Sequence, residues 1–397
     1  NTSILSFKKL FESKLTFGNV DVIGLTLNIK TYKGEKNTNL DVFVAKLDSD
    51  NPSTSGNVFL LSSSDISIIN SKFKLSDENK ETVDILKFND LNINATNFLI
   101  LGPKVSTRIN QLTFKDSRGV NVKNMTTNFS YSKTSMVFDD LHINTVSSEI
   151  NGNLKFKYNR EDLQFFEDKV ALIASFEDSK IALNELNTFY NEFGVNEVAI
   201  IKATFTGTLN DLTANDLFVS TSKQTVIDGN INFKNLLNKE PGNFSMDGRF
   251  NKVVSTYSDL KALLPNVLGN SIPTVLDKLG RFDIQGNTSI TAQKIDADFN
   301  IHADLGIIIA ELEMQDVNDI DNASYKGNVI FDEFLMGNIL NDPKIGKVSF
   351  NLDVDGKGFT LDNLNTLVKG DIYGLNYNDY YYSNIAINGT VKNRVFN

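Results

Sequence analysis

EINGNLKFKYN, residues 149–159, alternates cleanly: Ile150, Leu154, Phe156 and Tyr158 fall on one side of an extended chain, and Asn151, Asn153, Lys155, Lys157 and Asn159 on the other. The spacing predicts a β-strand with one dry and one wet face. Gly152 occupies the dry row, where a residue without a side chain packs nothing and weakens the strand. The same placement recurs in FTGTL (205–209), IDGNI (227–231), MDGRF (246–250), IQGNT (284–288), YKGNV (325–329) and INGTV (387–391). Gly207, Gly229, Gly248, Gly286, Gly327 and Gly389 therefore join Gly152, each between two polar neighbours and each on the apolar row.

Alternation with period two continues along most of the chain. Leu25, Leu27 and Ile29 oppose Asn28 and Lys30, and Ala199, Ile201, Ala203 and Phe205 oppose Lys202, Thr204 and Thr206. Ala297, Phe299, Ile301, Ala303 and Leu305 oppose Asp298, Asn300, His302 and Asp304, while Val348, Phe350, Leu352 and Val354 oppose Ser349, Asn351, Asp353 and Asp355. Such segments read as half-buried antiparallel strands, separated by turns such as DGKG (355–358) and Asn378-Asp379. An internal echo, DLHINTVSSEINGNLKF from Asp140 against DLFVSTSKQTVIDGNINFKNL from Asp216, indicates a sheet extended hairpin by hairpin.

Helical signals are few. Short helices are expected near 4–11, 184–193, 259–268 and 272–279, at sheet ends or plugging an opening, with Gly194, Gly269 and Gly280 as stops. No linker divides the chain, so 1–397 reads as one continuous β-groove segment. It begins at Asn1 without a methionine, which suggests a piece of a longer protein.

Composition narrows the function. With 397 residues and 41% apolar content a sizeable core is possible, and 29 phenylalanines fit aromatic filling between strands. Lysine and arginine total 39 against 49 acidic residues, a formal charge of -10, and no basic cluster is long enough to track nucleic acid. The absence of cysteine removes disulfides and thiolate metal sites, and no run of 18 apolar residues predicts a spanning helix. His142 and His302 both fall in the wet register with no nucleophile motif beside them, which argues against an enzyme. DVNDIDN (316–322) fails the calcium-loop pattern because Ile320 stands at a ligand position. No phosphate loop follows a strand, so no cofactor or metal is expected. The tyrosines of YGLNYNDYYY (373–382) fit a hairpin of good strand formers.

The apolar row itself is left as the informative feature. Repeated glycines either permit tight coiling of a curved sheet or leave room against the backbone for something other than side chains. Both hold in an elongated, curled antiparallel sheet that forms a taco-like groove around an apolar guest, giving an all-β fold with a few short helices. On this reading Gly229→Val and Gly248→Val are expected to keep near-normal stability while filling the groove.

LTLNIKTYKGEKNTNLDVFV from Leu25, EDLQFF from Glu161, LPNVLGNSIPTVLDKLG from Leu264 and YNDYYYSNIAINGTV from Tyr377 together resemble the TamB branch of the AsmA-like superfamily, the inner-membrane component of the translocation and assembly module. The resemblance implies a periplasmic parent protein, anchored in the inner membrane and reaching the outer one. It would bind phospholipid acyl chains in a β-groove, conduct lipid between the membranes, and support outer-membrane protein assembly with an outer-membrane barrel partner. This chain lacks the anchor helix and the partner-binding end. The family offers no catalytic residues. Its lining maps onto Phe205, Leu209, Ile227, Ile231, Phe233, Met246, Phe250, Ile284, Phe299, Ile301, Tyr325, Val329, Phe350 and Leu352, each of which ordinary core packing would explain equally well. A surface adhesin or carbohydrate-binding β-module is the alternative, and it calls for exposed aromatic platforms.

Overall fold

A computed structural model describes residues 2–4, 14–47, 59–188, 193–235, 243–263, 265, 274–317, 319, 322–358, 363–392 and 395–397. The chain is all-β, with 69% strand and 10% helix in an open, unclosed sheet arrangement. It forms two compact units, Asn1–Thr188 and Phe189–Asn397.

In the first unit β1 (Thr2–Ile4), β2 (Lys14–Ile23), β3 (Thr26–Thr31), β4 (Leu60–Asp77), β5 (Asp84–Leu101), β6 (Lys104–Asp116), β7 (Asn121–Tyr131), β8 (Ser135–Asn144), β9 (Glu149–Lys157) and β10 (Ala171–Ala182) follow one another. From β4 to β10 each strand pairs antiparallel with the next. The sheet is not wholly antiparallel: β2 and β3 both run parallel to β4. A parallel return needs a long crossover, and the excursion from Tyr32 through α1 (Asn39–Leu47) supplies it. Gly24, at φ +71°, breaks the β2–β3 line, and its N–H donates to the Ile69 carbonyl at 2.9 Å.

The second unit is a meander: β11 (Val198–Gly207), β12 (Asp211–Thr221), β13 (Val226–Lys234), β14 (Ser245–Thr256), β15 (Arg281–Thr291), β16 (Lys294–Ala303), β17 (Gly306–Gln315), β18 (Ser324–Leu335), β19 (Ile345–Lys357) and β20 (Asn365–Tyr377) each pair antiparallel with their successor. The edge of β20 takes β21 (Tyr380–Tyr382) and β22 (Ile385–Lys392), and β23 (Val395–Phe396) pairs with β22. Asn378 and Asp379 both have positive φ, +50° and +65°, as the expected tight hairpin turn requires. The DGKG stretch behaves otherwise, since Asp355–Lys357 stay in β19 and only Gly358 leaves it.

The expected helices need correction. The 184–193 expectation reduces to one turn, α3 (Leu183–Leu186), with 189–192 outside the described residues. The 259–268 helix starts earlier, as α4 (Tyr257–Leu263), because Thr256 Oγ1 accepts from the Asp259 N–H at 3.2 Å and so opens the helix there, with 264 and 266–268 outside the described residues. The 272–279 element is a 3-10 helix over Thr274–Leu279. Ile4 closes a strand rather than opening a helix, and 5–11 lie outside the described residues. α1, α2 (Phe166–Lys169) and α5 (Met336–Leu340) were not foreseen.

Strand interiors carry residues in the left-handed region at register breaks: Asn70, Asp90, Asn97, Asp140, Asp178, Asp216 and Glu333. Asx side chains tolerate that backbone better than other L residues, and each break adds local twist. The two echo aspartates are such bulges. Asp140 N–H donates to Asn153 Oδ1 at 2.9 Å, and Asp216 N–H to Asn230 Oδ1 at 3.0 Å. In both cases the capping asparagine follows the row glycine of the next strand, Gly152 or Gly229.

A candidate apolar binding face

Registers across the second unit join the apolar rows into a continuous face. One rung runs Ile227, Val253, Ile284, Ile301, Ile308, Phe331, Phe350, Ile372 and Ile385, directly paired from β13 to β22. The next runs Gly229, Phe250, Gly286, Phe299, Ala310, Val329, Leu352, Gly370 and Ile387 over the same strands. A third carries Phe205, Ala214, Ile231, Gly248, Thr288, Ala297, Leu312, Gly327, Val354, Val368 and Gly389. Phe233, Met246 and Tyr325 lie one rung further.

All but one of the lining candidates therefore share this face. The exception is Leu209, which falls in the turn between β11 and β12, because strand pairing stops at Gly207 and Leu212. Sequence reading missed Val253, Ile308, Phe331, Ile372, Ile385 and Ile387, although their parity marks them equally well. It also missed the comparable rung of the first unit, Ile68, Ile93, Leu112, Met125, Ile143 and Ile150.

Coverage of the face is uneven. Phe205, Phe233, Met246 and Phe250 pack around buried Ala203, Ala214, Leu217 and Ile231. Ile284, Ile301, Val329 and Phe350 pack on a core of Phe282, Leu305, Ile308, Phe334 and Val348, which is roofed by Leu260, Leu279, Met336 and Ile339 from the helical segments. The helices thus close one end of the face, at the ends of the strands. Phe331 stacks on Phe350 with ring centroids 4.6 Å apart. Of the lining candidates only Ile231 and Tyr325 are buried, and the rest are half-buried. Residues between two packed sheets would be covered on all sides, so partial exposure over so many strands leaves apolar area uncovered. Tyr325 is a satisfied interior group. Its hydroxyl donates to the Gly358 carbonyl at 3.2 Å and meets Thr366 Oγ1, while burial raises its pKa despite that bond.

The glycine question has two answers. At Gly152, Gly207, Gly229, Gly286 and Gly327 an added Cβ would stand 1.9–2.3 Å from a carbonyl oxygen of the adjacent strand, so close backbone approach excludes a side chain. At Gly248 it would meet the Phe250 ring at 2.8 Å, and at Gly389 both the Asn397 carbonyl oxygen at 2.5 Å and the Phe396 ring at 2.6 Å. The space over Gly248 is already filled by a ring. The expectation of near-normal stability for Gly229→Val does not stand, because the obstructing atom, Arg249 O, belongs to the backbone.

Behind this face, a concavity of about 1180 Å³ is lined by Arg249, Lys326 and Lys369 together with Asp247, Asp296, Asp298, Glu311, Glu313, Asp353 and Asp355. Most of its lining residues belong to the wet register, and Ile231, Gly248, Thr288, Ala297, Leu312, Gly327 and Val354 of the third rung also border it. His142 is exposed on the wet register of the first unit. Its ring contacts Asn151 Oδ1 at 2.8 Å and Asp140 Oδ1 at 3.1 Å, and those bonds raise its pKa above the usual imidazole value, with Arg108 opposing. Among the described residues no cluster of histidine and acidic side chains forms a metal site.

No protein-family model, curated protein or solved structure matches this chain.

Proposed function

We propose that the apolar face of the second unit binds lipid acyl chains, and that the parent protein conducts phospholipid across the periplasm between inner and outer membranes. The observation that carries this reading is the continuous, half-buried apolar face running through rungs from β13 to β22. Each methylene it removes from water contributes about 0.8 kcal/mol, so a single chain lying along a few strands gains appreciable affinity without any polar contact. A role in outer-membrane protein assembly with an outer-membrane barrel partner belongs to the same proposal and rests on the family resemblance. Mass spectrometry of lipids extracted from the purified chain tests it: co-purifying phospholipid is expected, and a lipid-free protein that also fails to take up a spin-labelled fatty acid would refute it.

One observation favours a second reading, a carbohydrate-binding module. Tyr373, Tyr377, Tyr380, Tyr381 and Tyr382 are exposed around one hairpin. Glycan-array binding abolished by Tyr380→Ala and Tyr381→Ala, with no bound lipid, would select it.

A further inference from the structure

In a chain of formal charge -10, one pocket of the first unit gathers cations. Lys155 and Lys157 project from the same side of β9, two residues apart, and Lys169 reaches the same space from the turn before β10. None of the three is in an ion pair among the described residues. The Lys169 ammonium lies 4.6 Å over the Phe165 ring, which holds it in place. Thr134, Ser135 and Asn159 add hydroxyl and amide groups to the lining of this open depression, which offers about 500 Å³. Its one acidic lining residue, Asp162, is engaged by the Asn159 N–H at 2.8 Å, and Tyr158 turns its hydroxyl to the Ser132 carbonyl. Glu161, Glu167 and Asp168 sit on the same turn but do not line the pocket.

We infer that this pocket binds a phosphate group carried as an ester on a small organic body. Three ammonium groups around one space suit an oxyanion that can present an oxygen to each of them, as the three free oxygens of a phosphate monoester do, whereas a carboxylate offers only two. The volume exceeds what a bare phosphate fills, leaving room for the ester substituent. Exposed Phe165 and Phe166 beside the lysines provide an apolar margin for it. The phosphate comes either from a soluble phosphoester or from a lipid headgroup. The inference stands on the lysines and is independent of the apolar face of the second unit.

The test uses the full chain at low salt. Glycerol 3-phosphate is titrated calorimetrically, and phosphatidylcholine vesicles with and without phosphatidylglycerol are used in flotation. Binding to at least one phosphate probe is expected, weakened about tenfold by Lys157→Gln and by Lys169→Gln, which equals about 1.4 kcal/mol each. It should fall with added salt and be unchanged in Lys202→Gln. Binding of glycerol 3-phosphate identifies a soluble source, and flotation only with phosphatidylglycerol identifies the headgroup. Both outcomes support the site. Absence of binding to either probe, or lysine variants with an unchanged melting temperature that bind like wild type, would overturn it. Because the lysine variants leave the apolar face of the second unit untouched, acyl-chain co-purification reads that face separately, and failure of either reading leaves the other intact.

Discussion

Gly229 and Gly248 stand on adjacent strands of one apolar face, yet alanine is expected to act on them differently. At Gly229 the new Cβ would lie 2.3 Å from Arg249 O and 3.0 Å from Phe250 Cα. Ordinary contact starts at 3.4 Å, so β13 and β14 must part by about 1 Å, at the cost of ladder hydrogen bonds and packing. Forcing extra volume into such a site costs about 1–3 kcal/mol, and the relief of glycine's backbone entropy returns about 0.5–1 kcal/mol. Gly229→Ala should therefore lose about 1–2 kcal/mol, lowering the melting temperature of a unit of this size by about 5 °C. At Gly248 the obstruction is the far edge of the Phe250 ring, which can turn aside, so Gly248→Ala should stay within about 0.5 kcal/mol of wild type. Urea unfolding followed by circular dichroism separates the two. Equal losses, or a Gly229→Ala protein more stable than wild type, would show that backbone proximity does not explain the glycine.

Further expectations concern other parts of the molecule. Phe250→Asp or Ile301→Asp should strip bound acyl chains, since an unpaired carboxylate on an apolar face costs several kcal/mol, while Asn300→Asp on the wet register should not; equal lipid loading in all three would refute the face assignment. Asn230→Ala removes the acceptor for Asp216 N–H and should cost about 1 kcal/mol, with Asp216→Val costing more because a β-branched residue resists positive φ; unfolding midpoints check both. The His142 pKa is raised in the folded chain, so its stabilising contribution is present below about pH 6.5 and is lost as pH rises through the folded value. The His142 proton resonance should titrate above 6.5 and move down in Asn151→Ala; an unmoved midpoint contradicts the hydrogen-bond cause. Burial raises the Tyr158 pKa well above the ordinary phenol value, so the fold should lose stability as pH rises past about 10, and Tyr158→Phe should blunt that loss in alkaline melting curves.

Much of the fold was legible because a period of two survives in one sequence. The face of Ile284, Ile301 and Phe350 follows from parity alone, and so does the wet placement of His142 and His302. Parity fails where strands bulge. Asp140 and Asp216 read as strand starts in an echo, and nothing local says that each stands left-handed within a strand and is capped by an asparagine from the next hairpin. The parallel pairing of β2 and β3 with β4 was invisible because it depends on a partner chosen across a long crossover. Leu209 was misplaced for a related reason: alternation continues one step beyond the last hydrogen-bonded pair. Whether a glycine faces a neighbouring carbonyl or a ring depends on the adjacent strand, so Gly229 and Gly248 look identical in sequence.

The meander of the second unit has a kinetic consequence. Each strand from β11 to β20 finds its partner in the strand made just before it, so loop closure is short at every step except the passage 257–280 between β14 and β15, and no strand must await one from beyond its neighbour. A chain emerging from a ribosome or a translocation pore can therefore add this unit one hairpin at a time, with each new strand templated on a finished edge. The first unit has no such freedom at its start. β2 and β3 must wait, unpaired on that side, until β4 has been made nearly thirty residues after β3 ends, and Ile23, Leu25 and Leu27, exposed even in the finished fold, make this the segment most open to premature association during synthesis.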